Sequence, residues 1–143
     1  MFMRKEDRKI DENAPPLRIR GLSCGHMQIR ANSLGAYEEM VSGVDHAGGV
    51  DIRVGFKNRR NKVIKYVTFT FSAYNAVDDK VPCTVRNSFE AVGKFTGPLN
   101  PGEYSPVEQY FGKMFYNHSI TKVTIDKAVI EYMDGTVDEQ TDF

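Results

Sequence analysis

The stretch IKYVTFTFSAYNAVDDKVPC, residues 64–83, decides how the rest of the chain is read. Val67, Phe69, Phe71 and Ala73 fall on one parity, and Tyr66, Thr68, Thr70, Ser72 and Tyr74 on the other. Successive strand residues point to opposite faces, so this is a long strand with one apolar face. Asn75 and Asp78 bond readily to nearby backbone amides and tolerate turn conformations, so Asn75–Asp79 is read as a turn into a second strand. The adjacent carboxylates Asp78 and Asp79 also suggest a cation site. Hard cations need several further oxygen ligands, however, and no EF-hand pattern surrounds them, so the turn is the preferred reading.

The same period recurs outward from this hairpin. In GVDIRVGFKN, Val50, Ile52, Val54 and Phe56 oppose Asp51, Arg53, Gly55 and Lys57, which predicts a half-buried strand. KVPCTVRN places Val81, Cys83 and Val85 on one parity, with Pro82 suited to an edge. Ala91–Phe95 is read as a strand ended by Gly97-Pro98, and GKMFYNHS as another with Met114 and Tyr116 opposite Phe115. In ITKVTIDKAVIEYMDG, Val123 and Ile125 share one parity while Ala128, Ile130 and Tyr132 share the other, so a bulge near Asp126-Lys127 is expected. Upstream, Leu17 and Ile19, then Met27 and Ile29, mark short strands around a Gly21–Gly25 turn, and Ala31–Ser42 reads as irregular. About seven strands with frequent turn signals and no sustained helical period predict an all-β sandwich with a less regular N-terminal extension.

The 143 residues suit one domain: a flexible leader over 1–16, a sandwich over 17–137 and an acidic tail over 138–143. Net charge is zero, which argues against a dedicated nucleic-acid binder. Charge is nevertheless segregated. Arg53, Lys57, Arg59, Arg60, Lys62 and Lys65 surround the basic turn KNRRNK, whereas DGTVDEQTDF carries acids and no base. These two segments could meet each other, a partner, or water, and solvated charge is the preferred reading, since exposed charges are cheap and turns collect them. No secretory h-region or apolar run of membrane-spanning length is present, so a cytoplasmic setting follows from the chain as given, and an envelope or secreted one if an export segment was removed.

From Gly49 onward, VDIRVGFKN, IKYVTFTFSAYNAVDDKVPC, TGPLNPGE and FYNHSITKVTIDKAVIEYMDGT resemble small bacterial immunoglobulin-like β-sandwich domains of unknown function, of the DUF5780-like and FxLYD-like kind. The resemblance covers roughly residues 49–137. It implies an immunoglobulin-like fold and an envelope or secreted setting beside other modules, and brings no catalytic residues. Asp78 stands where such domains tend to have glycine, which implies a left-handed backbone there. Phe111 stands near a position where they often have tryptophan.

Three functional readings remain. The preferred one is a non-catalytic accessory or interaction module without a cofactor, contacting a protein or an anionic polymer. Lys57, Arg59, Arg60, Lys62, Tyr66 and Tyr74 are its candidate surface, and an open sheet edge is a further route, including to self-association. The second is a metal protein or enzyme in which Cys24 and His26 of the CGH triplet converge with His46, Cys83 or His118, although these are not spaced as a zinc motif. The third is a structural spacer. Cys24, in a segment flanked by Gly21 and Gly25, is expected to be more exposed than Cys83, and a disulfide between them is the alternative to two buried thiols. NHS at Asn117–Ser119 matches a glycosylation sequon, and GPLNPGE lacks the lysine and helix of a phosphate-binding loop.

Overall fold

The computed structural model describes residues 13–25, 38–40, 49–105 and 109–143. Within them lie nine strands: β1 (Leu17–Gly25), β2 (Glu38–Met40), β3 (Gly49–Asn58), β4 (Ile64–Tyr74), β5 (Lys80–Val81), β6 (Glu90–Leu99), β7 (Gln109–Tyr116), β8 (Lys122–Tyr132) and β9 (Val137–Gln140). They form two antiparallel sheets in a sandwich-like, partly curled arrangement. The smaller sheet has the order β1-β3-β7. In the larger, β4 and β8 are central. The far side of β4 is shared by β6 and β5, and the far side of β8 by β9 and β2.

The apolar parities of both sheets meet in one core. Phe56 of β3 packs edge-on to Phe69 of β4 and Phe95 of β6, with ring centroids 5.3 and 5.0 Å apart. Phe111 of β7 reaches across to Phe69 and Phe71 at 6.2 and 5.9 Å. A Cβ on Gly93 would stand 2.7 Å from the Phe111 ring, so this glycine makes room for the aromatic cluster.

The expected bulge is present in β8. Thr70 pairs with Lys127 and Phe71 with Ile125, leaving Asp126 as the extra residue. Val123 and Ile125 before it, and Ala128, Ile130 and Tyr132 after it, are all buried. The Asn75–Asp79 turn also forms as expected. Asn75 Oδ1 accepts from the amides of Val77 (3.1 Å) and Asp79 (2.9 Å), and Asp78 has φ = 67°.

Several expectations are corrected. β3 is not half-buried: Asp51 and Lys57 on its polar parity are also buried. It is the middle strand of its sheet, and the Tyr104 ring, with Arg20 at 4.2 Å and Lys57 at 5.5 Å, lies over that face. β5 stops at Val81 because Cys83 and Ser88 close a turn, Cys83 N donating to Ser88 O at 2.7 Å, with Asn87 left-handed (φ = 53°). That turn leaves Val85 exposed. β6 does not end at Phe95 but runs through Gly97-Pro98 to Leu99. A Cβ on Gly97 would lie 2.4 Å from Ile64 O, so only glycine permits this approach of backbones. In β7 both Met114 and Phe115 are buried.

The ends of the chain also differ from expectation. β1 runs unbroken through the Gly21–Gly25 stretch read as a turn, paired along β3 with a register shift between Ile19 and Gly21. Met27 and Ile29 lie outside the described residues, and of Ala31–Ser42 only 38–40, which form β2, lie within them. The segment read as an acidic tail contributes β9, and Gln140 is buried. Its side-chain amide takes the place of a strand partner for Leu17, accepting from Leu17 N at 2.8 Å and donating to Leu17 O at 2.9 Å. Tail and first strand thereby join the two sheets.

Candidate recognition face

The basic turn is largely consumed by the fold. Asn58, fully buried, donates its amide to Lys62 O (2.8 Å) and Leu99 O (3.1 Å) and accepts from Arg60 N (2.9 Å), which shapes the turn from inside. Arg59 donates Nε to Pro15 O (3.0 Å) and Nη2 to Leu17 O (3.1 Å), anchoring the end of the segment read as a leader. Arg60 Nε lies 3.9 Å from Asp138, and Lys62 Nζ lies 3.5 Å from Asp134 and 2.8 Å from Thr136 Oγ1. The two charged segments thus meet each other rather than standing apart in water as expected, because the turn after β8 brings Asp134 and Asp138 beside Lys62 and Arg60. Hydrogen bonds from the Thr136 hydroxyl and amide, with the nearby Lys62 charge, hold the Asp134 carboxyl below its ordinary range.

Tyr66 and Tyr74 have a different fate. They stand at the two ends of the outward row of β4, with Thr68, Thr70 and Ser72 between them. At about 3.3 Å per residue, the row is roughly 25 Å long. The Tyr66 ring has Lys94 Nζ at 3.8 Å and Lys65 Nζ at 5.4 Å from its centroid. Tyr74 has Lys122 Nζ at 5.0 Å and lines a cleft of about 480 Å³ with Thr124, Ile125, Asp126, Thr141, Asp142 and Phe143. A second hollow of about 310 Å³ lies beside it, lined by Asn75, Ala76, Asp78, Thr121 and Lys122. Lys122 Nζ also reaches Asp78 Oδ1 at 2.6 Å.

The bulge builds the floor between these features. Asp126 accepts from the Ser72 hydroxyl and from Thr124 Oγ1 at 2.7 Å, so its carboxylate faces outward yet is fixed. Around the β4 row, register places Glu90, Val92 and Lys94 on one side and Lys127, Val129 and Glu131 on the other. The face is therefore mixed in charge and carries hydroxyls, with an aromatic ring at each end and hollows at its Tyr74 end. Such a surface suits shape and hydrogen-bond recognition.

Cys24 is fully buried rather than exposed, because it sits opposite Ile52 on the core side of β1, and Cys83 is buried too. Both thiols are unbridged. Burial pushes the Cys83 thiol up, but backbone hydrogen bonds from Arg86, Tyr116 and Val85, with the Arg86 charge, outweigh it and hold it below its ordinary value. His118 is exposed, and His26 and His46 lie outside the described residues. Among the described residues, no three His, Cys, Asp or Glu side chains converge as a metal set. The Asn117 side chain donates to Pro82 O (2.9 Å) and accepts from Ser119, so within the sequon its amide is part of a turn. No helix among the described residues is long and apolar enough to cross a membrane.

Sequence reasoning missed the structural work of Asn58 and Gln140. Asn58 sat inside a turn motif read for its charges, and nothing in the acidic composition around Gln140 marked it for burial. Lys65 and Lys94 were missed as companions of Tyr66 because their convergence depends on strand register. Compared with known proteins, the chain matches no family model, no curated protein and no solved structure.

Proposed function

We propose that this domain is a non-catalytic recognition module that binds a protein through the outer face of its larger sheet. The observation that carries this reading is the row from Tyr66 to Tyr74, with lysines on both rings and the cleft at its Tyr74 end. Tyrosine supplies a large, rigid contact with a polar tip, and aromatic residues are enriched among those that dominate binding energy. The charges around the row are of both signs, which favours a protein over an anionic polymer. Kinship with the small bacterial immunoglobulin-like domains, and an envelope or secreted setting, belong to the same proposal; the two-sheet architecture agrees with the sandwich fold of such domains, and the setting rests on the sequence resemblance alone.

A pull-down from host extract, with wild type beside Tyr66→Ala and Tyr74→Ala, tests the reading. A defined protein should be retained by wild type and weakened at least tenfold by either variant, a loss of the size seen at binding hot spots (roughly 1–2 kcal/mol). Circular dichroism checks that the variants stay folded. A partner list unchanged by both substitutions would sink this face as the binding surface.

A further inference from the structure

We infer that β6 pairs antiparallel with the β6 of a second copy of this chain, in the register that sets Val92 against Val92. β6 is bonded to β4 along one side, and among the described residues no strand is paired with its other side. That leaves a row of backbone donors and acceptors along a strand of ten residues, the arrangement that invites strand addition. Its outward side chains Glu90, Val92, Lys94 and Thr96 are exposed, and Val92 is 61% exposed, an apolar side chain in the middle of the row. Phe89, at its start, is 51% exposed.

The register follows from pleat and charge. Antiparallel partners point their side chains to the same face, so the two-fold axis must set outward residues against outward ones. Centred on Lys94, the pairing opposes lysine with lysine; centred on Glu90, it opposes glutamate with glutamate. Centred on Ala91 or Gly93, it leaves Glu90 and Lys94 facing uncharged residues. Centred on Val92, it sets Glu90 of each copy against Lys94 of the other, twice, around an apolar Val92–Val92 contact. The matched stretch then runs from Glu90 to Lys94, inside β6, and stops before Pro98, which has no amide proton to offer. Lys94 does not block the edge, because its ammonium lies over the Tyr66 ring of β4, away from the free side; it would leave that ring to meet Glu90 of the second copy on the same outer face.

A two-fold axis normal to the sheet keeps both outer faces on the same side. The two Tyr66–Tyr74 rows would then lie side by side, three strand spacings or about 14 Å apart. The dimer does not depend on the proposed function, but if that reading holds, it makes the module bivalent.

Sedimentation equilibrium of the full chain, over concentrations up to about 1 mM, tests the pairing. Lys94→Glu and Glu90→Lys should each weaken dimerisation about tenfold, since each turns two attractive cross-strand pairs into repulsive ones. Combining both substitutions restores opposite charges and should return the affinity to within about twofold of wild type. Val92→Cys should cross-link to itself under mild oxidation, whereas Thr96→Cys should not; Cys24 and Cys83 are buried and do not compete. A monomer throughout, or charge variants that behave alike whether single or double, would overturn the inference. Retention of a Tyr66-dependent partner by a monomeric protein would overturn the dimer and leave the proposed function standing.

Discussion

Asp78 spends conformational energy for geometry. Its left-handed backbone (φ = 67°) closes the turn between β4 and β5, a conformation that costs L-residues roughly 1–2 kcal/mol and that aspartate tolerates better than most. Its bond to Lys122 is exposed and contributes little. Asp78→Gly should therefore leave stability within about 0.5 kcal/mol of wild type, while Asp78→Val should lower it by about 1–2 kcal/mol. Urea unfolding of the two variants checks both, and equal losses would contradict the assignment of strain. This residue was legible before the structure because turn chemistry is local. Gln140 was not. Its role exists only because β9 brings it beside Leu17, and no feature of DEQTDF indicates that neighbour.

At the scale of elements, the bulge in β8 was legible and the end of β5 was not. The change of apolar parity between Ile125 and Ala128 can be satisfied in one core only by an extra residue, so the pattern itself demanded a bulge near Asp126-Lys127, and the register assigns it to Asp126. The structure adds that Asp126 satisfies the hydroxyl of Ser72, a fully buried residue. Asp126→Ala should cost about 1–3 kcal/mol, by leaving that hydroxyl without its acceptor, and Ser72→Ala in the same background should recover part of the loss. Thermal or urea unfolding of the single and double variants measures the coupling. For β5, the alternation Val81, Cys83, Val85 looked like a strand. The bonds that turn the chain at Cys83 include Thr84 N to Tyr116 O (2.8 Å), a contact with the end of β7 that the local pattern does not contain. Gly97-Pro98 misled in the opposite direction, since it reads as a stop but lies within β6.

Over the whole molecule, the basic turn and the acidic segment close on one another, with Lys62 at Asp134 and Arg60 at Asp138. The Asp134 carboxyl titrates below its ordinary value, so its contribution to stability is complete above the unfolded-state value of about 3.9 and is lost as pH falls through the lower folded-state value. Asp134→Asn should thus be less stable than wild type at neutral pH, and the gap should shrink in acid, to vanish below the folded-state value. Urea unfolding across pH 2–7 reads this out, and a gap independent of pH would contradict it. By itself the sequence determined the all-β class, the strands whose alternation is uninterrupted, the turn at Asp78 and a bulge near Asp126-Lys127, because each follows from the two-residue period and local turn chemistry. Only the tertiary structure decided which polar residues stay available. Alternation states which side of a strand a residue faces, but not what lies over that side. Lys57 is covered, Arg59 is tied to the backbone of residues 15–17, and Tyr66 and Tyr74 are half-buried on the outer side of β4.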